Sequence, residues 1–201
     1  MDNNKSSNYL KHTSSKGIRK KLIDNFNRSY MVCFKSLCSS ETKNVLDIGC
    51  GEGFTLKMIY DDHGSLELTG CDISKSATAH AKTLVPTAEI FINSGYDIRL
   101  EDKSFDIVMC SEVLEHVDAP EKMLAEIKRV CRKNVLLSVP HEPYFMLGNM
   151  LSGKNIKAFG NDPEHIQHFS ITKFKKLCNE YFTEIETRRV FPWIIYTGIV
   201  R

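Results

Sequence analysis

The stretch Asn44-Val45-Leu46-Asp47-Ile48-Gly49-Cys50-Gly51-Glu52-Gly53 decides the fold of this 201-residue chain. Its apolar first half is typical of a buried parallel strand, and the segment from Glu52 to Tyr60 is typical of a helix. Between them, glycines at every second position let the backbone turn sharply and let a ligand lie against main-chain atoms. The stretch therefore predicts a ligand-binding loop at the carboxyl end of a strand, where open α/β sheets bind their ligands.

Strand and helix patterns alternate along the rest of the chain. Alternation of this kind implies right-handed βαβ units and a mostly parallel sheet. The predicted strands are 44–49, 66–72, 88–92, 105–111, 134–139, 182–191 and 193–200, and the predicted helices are 16–38 (as one helix or two), 52–60, 74–84, 119–131 and 171–180.

The length of the chain favours one domain. Residues 1–15 are polar and are predicted to be a flexible N-terminus. Residues 16–201 are predicted to form the domain, and its first segment, 16–38, is an amphipathic helical cover. An irregular segment at about 141–168 interrupts the alternation, which predicts a lid or binding insertion at this point.

Composition excludes several classes of protein. The formal net charge of +2 gives no sign of a polyanion partner. The polar segment Met1–Ser7 lacks the apolar core of a signal peptide, and no apolar run approaches the ~20 residues that span a bilayer. The seven cysteines contain no C-x-x-C pair and are predicted to be reduced and mostly buried. We therefore expect a cytoplasmic protein without a membrane partner; its oligomeric state stays open.

The glycine spacing distinguishes between cofactor classes. A dinucleotide fingerprint requires G-x-G-x-x-G, whereas Gly49, Gly51 and Gly53 give G-x-G-x-G, so an NAD-type oxidoreductase is disfavoured. Asp47, two residues before the first glycine, would repel a pyrophosphate and attract an ammonium group. The pattern resembles motif I of the class I S-adenosylmethionine-dependent methyltransferases. The resemblance implies that Asp47 lies near the amino-acid moiety of the cofactor and that the loop, with Cys50, passes under it. The alternative is a glycine-rich turn that binds no ligand.

A second carboxylate supports an adenosine ligand. Asp72 ends the second strand, where an acidic side chain can accept hydrogen bonds from both hydroxyls of a ribose. Ile73 would then lie against the adenine. The alternative is that Asp72 only caps the helix that begins near Ser74.

The region after the third strand departs from the family pattern. The resembled family usually has Gly-Asp-Ala there, and the aspartate binds the adenine amino group. Ser94 stands at the position of that aspartate. The resemblance therefore leaves adenine recognition to Ser94, to the backbone of Gly95, or to Asp97.

The fourth strand runs into Ser111-Glu112-Val113-Leu114-Glu115-His116-Val117. This run resembles the post-strand signature of the family, which covers the cofactor and faces the methyl-transfer cavity, so Ser111 and Glu112 are predicted to contact the cofactor. The resemblance extends from about residue 44 to residue 140. It implies a Rossmann-like, doubly wound, mostly parallel seven-stranded sheet with an antiparallel last strand.

Several acid–base groups are candidates for the chemistry. Glu112, Glu115 and His116 are spaced i, i+3, i+4, which predicts one face of a helical turn. His141 follows the fifth strand, and His165 lies near the end of the irregular segment. For a hydroxyl acceptor that needs a general base, His141 is the first candidate, followed by His116 and His165.

The same groups also suit a divalent metal, whether magnesium, manganese or zinc. The sequence E-x-x-E-H with a later histidine resembles two branches of the superfamily, the ubiquinone-biosynthesis O-methyltransferases and the small-RNA 3′-terminal 2′-O-methyltransferases. In the second branch two glutamates and two histidines hold a divalent ion, and mapping them here makes Glu112, Glu115, His116 and His165 the ligands. In metal-free members the histidine packs or binds substrate, so this alternative stays open.

The sequence thus predicts a methyltransferase that acts on a small-molecule acceptor, most readily at oxygen. One alternative is a metal-dependent RNA 2′-O-methyltransferase; another is a protein that binds S-adenosylmethionine without catalysis. Basic clusters give the RNA alternative some support, although such runs are usually solvated helix faces and no known RNA-binding module accompanies them. They are 19–21, 128–129, 132–133, 173 and 175–176.

Overall fold

Seven strands form a single sheet in this computed structural model, which describes residues 16–142, 144, 146 and 165–201. The order of the strands across the sheet is β3-β2-β1-β4-β5-β7-β6. Strands β1 to β5 run parallel, and β7 is antiparallel to both of its neighbours, β5 and β6. The strands are β1 (Asn44–Ile48), β2 (Glu67–Asp72), β3 (Glu89–Ile92), β4 (Phe105–Ser111), β5 (Cys131–Pro140), β6 (Phe182–Val190) and β7 (Trp193–Val200). The predicted seven-stranded, doubly wound sheet with an antiparallel last strand is confirmed.

Five α-helices and one 3₁₀ turn accompany the strands in the described part of the chain. Each predicted helix is present, with its ends shifted by a few residues. The second helix, for example, begins at Phe54 and not at Glu52, because Gly53 occupies the cap position in a left-handed conformation. The helices are α1 (Gly17–Leu37), α2 (Phe54–Asp62), α3 (Lys75–Leu84), α4 (Pro120–Val130) and α5 (Ile171–Cys178), and the 3₁₀ turn is Leu114–His116.

Apolar side chains cover both faces of the sheet. Consecutive strand residues point to opposite faces, so Ile107 and Val108 of β4 belong to different buried clusters. On one face the strands pack against α4 and α5, and on the other against α1, α2 and α3. Burial on both faces explains why the parallel strands are almost continuously apolar.

The strand order reverses between β1 and β4, which are hydrogen-bonded neighbours. β1 continues through α2 to β2 on one side, whereas β4 continues through α4 to β5 on the other. The loops that leave β1 and β4 therefore diverge and open a crevice at the carboxyl edge of the sheet. In open α/β sheets this switch point is where ligands bind.

The structure bears on two further expectations. All seven cysteines are free thiols, and only Cys38 is not fully buried. No helix of the described residues is long and apolar enough to cross a membrane. The predicted flexible N-terminus, residues 1–15, and most of the predicted insertion, residues 143, 145 and 147–164, lie outside the described residues.

The connection between β3 and β4 is held by one arginine of α4. The Arg129 guanidinium donates to the backbone oxygens of Ile98 and Leu100 at 2.5 and 2.9 Å. It also pairs with Glu126 at 2.8 Å and with Asp102 at 2.7 Å. Because carbonyl groups of the loop are satisfied by this side chain, the loop is fixed on the sheet beside the end of β3.

Replacement of Arg129 by methionine tests this anchor. We expect Arg129→Met to lower the free energy of unfolding by about 2 kcal/mol, because two loop carbonyls lose their donors. The matched control is Arg99→Met, since Arg99 is 83% exposed and only approaches Asp97 at 3.9 Å; that variant should stay within about 0.5 kcal/mol of the wild type. Urea denaturation measures the free energy of unfolding of both variants. Equal stabilities would contradict the role of Arg129 as the anchor of this loop.

Candidate active site

The glycine loop after β1 folds back on the end of β2. The amides of Gly49 and Cys50 both donate to the backbone oxygen of Cys71, at 2.8 and 3.0 Å. Gly49 has a φ of 72°, and a Cβ there would lie 2.3 Å from Cγ2 of Val113. Gly53 has a φ of 85°, and a Cβ there would lie 3.0 Å from Cβ of Ala81 on α3. These two glycines let the loop pass close to the segment after β4 and let α2 start against α3.

Asp72 connects the end of β2 to this loop. One of its carboxylate oxygens accepts from the Gly51 amide at 2.9 Å, and the other accepts from the Ser74 amide at 2.8 Å. The helix cap itself is Ser74, whose hydroxyl accepts from the Ala77 amide. A carboxylate has about four acceptor sites, so these bonds leave Asp72 able to accept from hydroxyl groups of a ligand. Ile73 beside it is 75% exposed.

Asp47 lies at the end of β1 with only 2% of its surface exposed. Burial and, to a smaller extent, the negative charge of Asp72 together raise the pKa of its carboxyl group to about 8. An ionised carboxylate here is costly until a cation lies beside it. The site is therefore suited to a positively charged group.

The segment after β3 reaches the same edge of the sheet. The Ser94 hydroxyl accepts from the Tyr96 amide at 3.2 Å, and the Tyr96 hydroxyl accepts from the Ala119 amide at 3.2 Å. A Cβ at Gly95 would lie 2.2 Å from Cε of Met123. Asp97, the other candidate for adenine recognition, is exposed and lies 3.9 Å from Arg99.

A polar network closes the opposite side of the crevice. The hydroxyls of Ser111 and Ser138 are 2.6 Å apart, and Ser138 also donates to Glu112 at 3.4 Å. The Glu112 carboxylate accepts from the indole nitrogen of Trp193 at 2.6 Å. The sequence did not predict Trp193 here; it reaches the site because β7 pairs with the end of β5.

The predicted common face of Glu112, Glu115 and His116 is not observed. The 3₁₀ turn includes only Leu114–His116, and Glu112 precedes it with a φ of 58° in the left-handed region. The helical spacing therefore does not apply to Glu112, because the chain has to leave β4 before the turn can start. Of the four predicted metal ligands, the structure brings three together and directs Glu112 to Trp193 and Ser138.

Glu115, His116 and His165 form a compact cluster at this edge. One ligand atom from each lies within 4.8 Å of the other two, and the imidazole rings of His116 and His165 are 5.0 Å apart. Glu115 is 1% exposed, and its backbone oxygen accepts from the amides of residues 166 and 167, which holds the His165 segment in place. A further buried carboxylate, Glu142, approaches Nδ1 of His165 at 3.6 Å. The one sequence signal for Glu142 was its position next to His141, directly after a buried strand.

His141 is not a member of this cluster. Its ring packs against Tyr144 at 4.9 Å, and Tyr144 in turn packs against Phe191 at 5.8 Å. Burial lowers the pKa of His141, and the positive charge of Arg189 lowers it further, against a smaller opposing effect of Glu142. A neutral imidazole is the form that accepts a proton.

Comparison with known proteins agrees with this geometry. Residues 46–139 match the family model described as a methyltransferase domain. A ubiquinone biosynthesis O-methyltransferase of Coxiella burnetii is 40% identical over 86 residues, which is 41% of this chain and 36% of that protein. An O-methyltransferase of Aspergillus sclerotiorum is 33% identical over 109 residues, 51% of this chain and 41% of that protein. The chain thus matches well under half the length of these curated relatives.

Solved structures share the fold over nearly the whole chain. The magnesium protoporphyrin IX methyltransferase of Synechocystis PCC 6803, solved with bound SAH, has a TM-score of 0.69 at 15% sequence identity. The likeness covers 96% of this chain and 97% of that one. Residues 46–139 thus match a methyltransferase domain, and the chain shares its fold with solved methyltransferase structures.

Proposed function

We propose that this protein transfers the methyl group of S-adenosylmethionine to an oxygen atom of a small-molecule acceptor. The observation that carries the proposal is the pair of carboxylates, Asp47 and Asp72, on either side of a glycine loop at the switch point of the sheet. The names of the two curated relatives, both O-methyltransferases, support oxygen as the target.

Each part of the cofactor has a complementary group in the crevice. Asp72 is the acceptor for the ribose hydroxyls, and the exposed Ile73 side chain is an apolar surface for the adenine. Ser94 and the Gly95 backbone lie at the adenine end, after β3. Asp47 is the counter-charge for the ammonium group, and Ser111, at the end of the neighbouring strand β4, borders the same part of the crevice.

Methyl transfer is an in-line displacement, so the protein mainly has to orient the two reactants and exclude water. The acceptor oxygen attacks the methyl carbon, the carbon–sulfur bond breaks to give a thioether, and the hydroxyl proton has to leave. We assign that proton to His141, whose lowered pKa favours the neutral imidazole that can accept it.

An RNA acceptor is less favoured by the surface charges. Five of the ten basic residues in the clusters that suggested RNA form ion pairs with acidic residues. The pairs are Lys20–Asp24, Arg129–Glu126, Arg132–Asp106, Lys133–Glu41 and Lys175–Glu184.

We further propose that Glu115, His116 and His165 hold a divalent ion. Two imidazoles and one carboxylate fit manganese or zinc better than magnesium, which prefers oxygen ligands. Glu142, close to Nδ1 of His165, is placed to orient that ring. Such an ion would supply polarisation of an acceptor hydroxyl, and His141 would remain the proton acceptor.

Methyl transfer itself is tested with S-adenosylmethionine that carries a deuterated methyl group, incubated with phenolic and aliphatic alcohol metabolites and, separately, with RNA. We expect a labelled small-molecule ether, detected by mass spectrometry. Asp72→Ala should weaken cofactor binding at least tenfold through loss of the ribose acceptor. The cofactor affinity of Asp72→Asn should lie between those of Asp72→Ala and the wild type. The control Glu101→Ala, at an exposed residue, should bind the cofactor like the wild type. Label in RNA alone, or cofactor affinity that is unchanged in Asp72→Ala, would contradict the proposal.

The metal proposal is tested by calorimetric titration of chelator-treated protein with Mn²⁺ and Zn²⁺. We expect one ion per chain and at least a tenfold loss of affinity in Glu115→Gln, because the only carboxylate of the cluster loses its charge. Glu112→Gln is the matched control, since Glu112 contacts Trp193 and Ser138 and should leave metal affinity unchanged. Full methyl-transfer activity in excess EDTA, or equal losses in the two variants, would argue against the ion.

A further inference from the structure

Two exposed aromatic side chains lie beside the histidine proposed as general base. The ring of Tyr144 packs edge-to-face against His141 at 4.9 Å and against Phe191 at 5.8 Å. Tyr144 is 43% exposed and Phe191 is 54% exposed, so both rings keep accessible surface. Aromatic rings pack well against other rings in edge-to-face or offset arrangements. The aromatic pair, Tyr144 and Phe191, is therefore suited to hold a planar ring next to His141.

Backbone pairing fixes the aromatic pair on the acceptor side of the crevice. The His141 amide donates at 2.8 Å to the backbone oxygen of Pro192, the residue after Phe191. Strands β5, β7 and β6 lie on the side of β4 away from Asp72 and β2. The aromatic pair thus borders the part of the crevice that the proposed cofactor leaves for an acceptor.

Arg189 brings a positive charge to the same place. Arg189 of β6 is paired with Ile194 of β7, which is paired with Val139 of β5. Ile194 and Val139 belong to the buried cluster that packs against α4 and α5. Directly paired residues share a face of the sheet, and His141, two residues after Val139, continues on that face. The electrostatics agree with this placement, since the positive charge of Arg189 lowers the pKa of His141.

The two consecutive arginines of β6 differ in their partners. Arg188, on the opposite face, pairs with Glu186 at 3.0 Å. Arg189 is exposed, and no acidic side chain in the described part of the chain lies within ion-pair distance of its guanidinium. A guanidinium is a planar fork of donors that matches both oxygens of a carboxylate. Arg189 is therefore placed to bind a carboxylate that a ligand supplies.

We propose that the acceptor is an aromatic hydroxy acid, whose ring packs against Tyr144 and Phe191 and whose carboxylate pairs with Arg189. Its hydroxyl group gives its proton to His141, and its oxygen takes the methyl group as the carbon–sulfur bond of the donor breaks. This inference rests on the proposed function and names the class of its acceptor. It makes Arg189 the residue that selects acids over neutral phenols.

The test compares 3,4-dihydroxybenzoate with catechol, which has the same ring and hydroxyls but no carboxylate. Calorimetry measures both affinities for the protein saturated with S-adenosylhomocysteine. We expect the wild type to bind the acid at least tenfold more tightly than catechol. In Arg189→Met this preference should disappear while catechol affinity stays unchanged, and Arg189→Lys should keep part of it, because an ammonium group pairs without the bidentate geometry.

Two further variants serve as controls. Arg188→Met removes the neighbouring arginine on the opposite face and should leave both affinities unchanged. Phe191→Leu removes one ring of the aromatic pair and should weaken the acid and catechol by the same factor, about two- to tenfold.

Three results would overturn the inference. They are a wild type that binds neither compound, a wild type that binds both equally, and equal losses of the acid in Arg189→Met and Arg188→Met. Unchanged catechol affinity in Arg189→Met shows that this variant is folded. Failure of the proposed function itself would look different, because the protein would then not bind S-adenosylhomocysteine.

Discussion

The burial of the Asp47 carboxyl group is the constraint around which the site is arranged. Its folded-state pKa of about 8 lies above the ordinary value of 3.8. The free protein therefore has the full stability contribution of this group below pH 3.8 and loses it as the pH rises through about 8. An ammonium group bound beside Asp47 would remove this cost. The protein thus keeps a destabilised carboxyl group at the place where the proposed ligand carries its positive charge.

The elements around Asp47 are positioned by the reversal of strand order. β1 and β4 are neighbours, so Asp47 and Ser111 lie at adjacent strand ends, and β2 brings Asp72 to the other side of the glycine loop. The antiparallel β7 then carries Trp193 to the end of β5, where the indole holds Glu112. The groups proposed to bind the cofactor and the candidate acid–base groups consequently share one edge of the sheet.

The fold was predictable from the sequence because its signals are local. Apolar runs mark the parallel strands, and the glycines around Cys50 mark the loop after β1. The position of Glu112 was not predictable, since it depends on a left-handed residue after β4 and on a tryptophan 81 positions away. Glu142 was missed for the same reason: it looks like an ordinary residue of its segment, and only tertiary packing brings it to His165.

The most direct test of this account is the number of protons released when S-adenosylmethionine binds. Calorimetry at pH 7 in buffers of different ionisation enthalpy measures that number. If burial keeps Asp47 protonated in the free protein and the ammonium group ionises it, close to one proton should leave per bound S-adenosylmethionine, and none should leave with 5′-methylthioadenosine. Binding of S-adenosylmethionine without proton release would contradict the role assigned to Asp47.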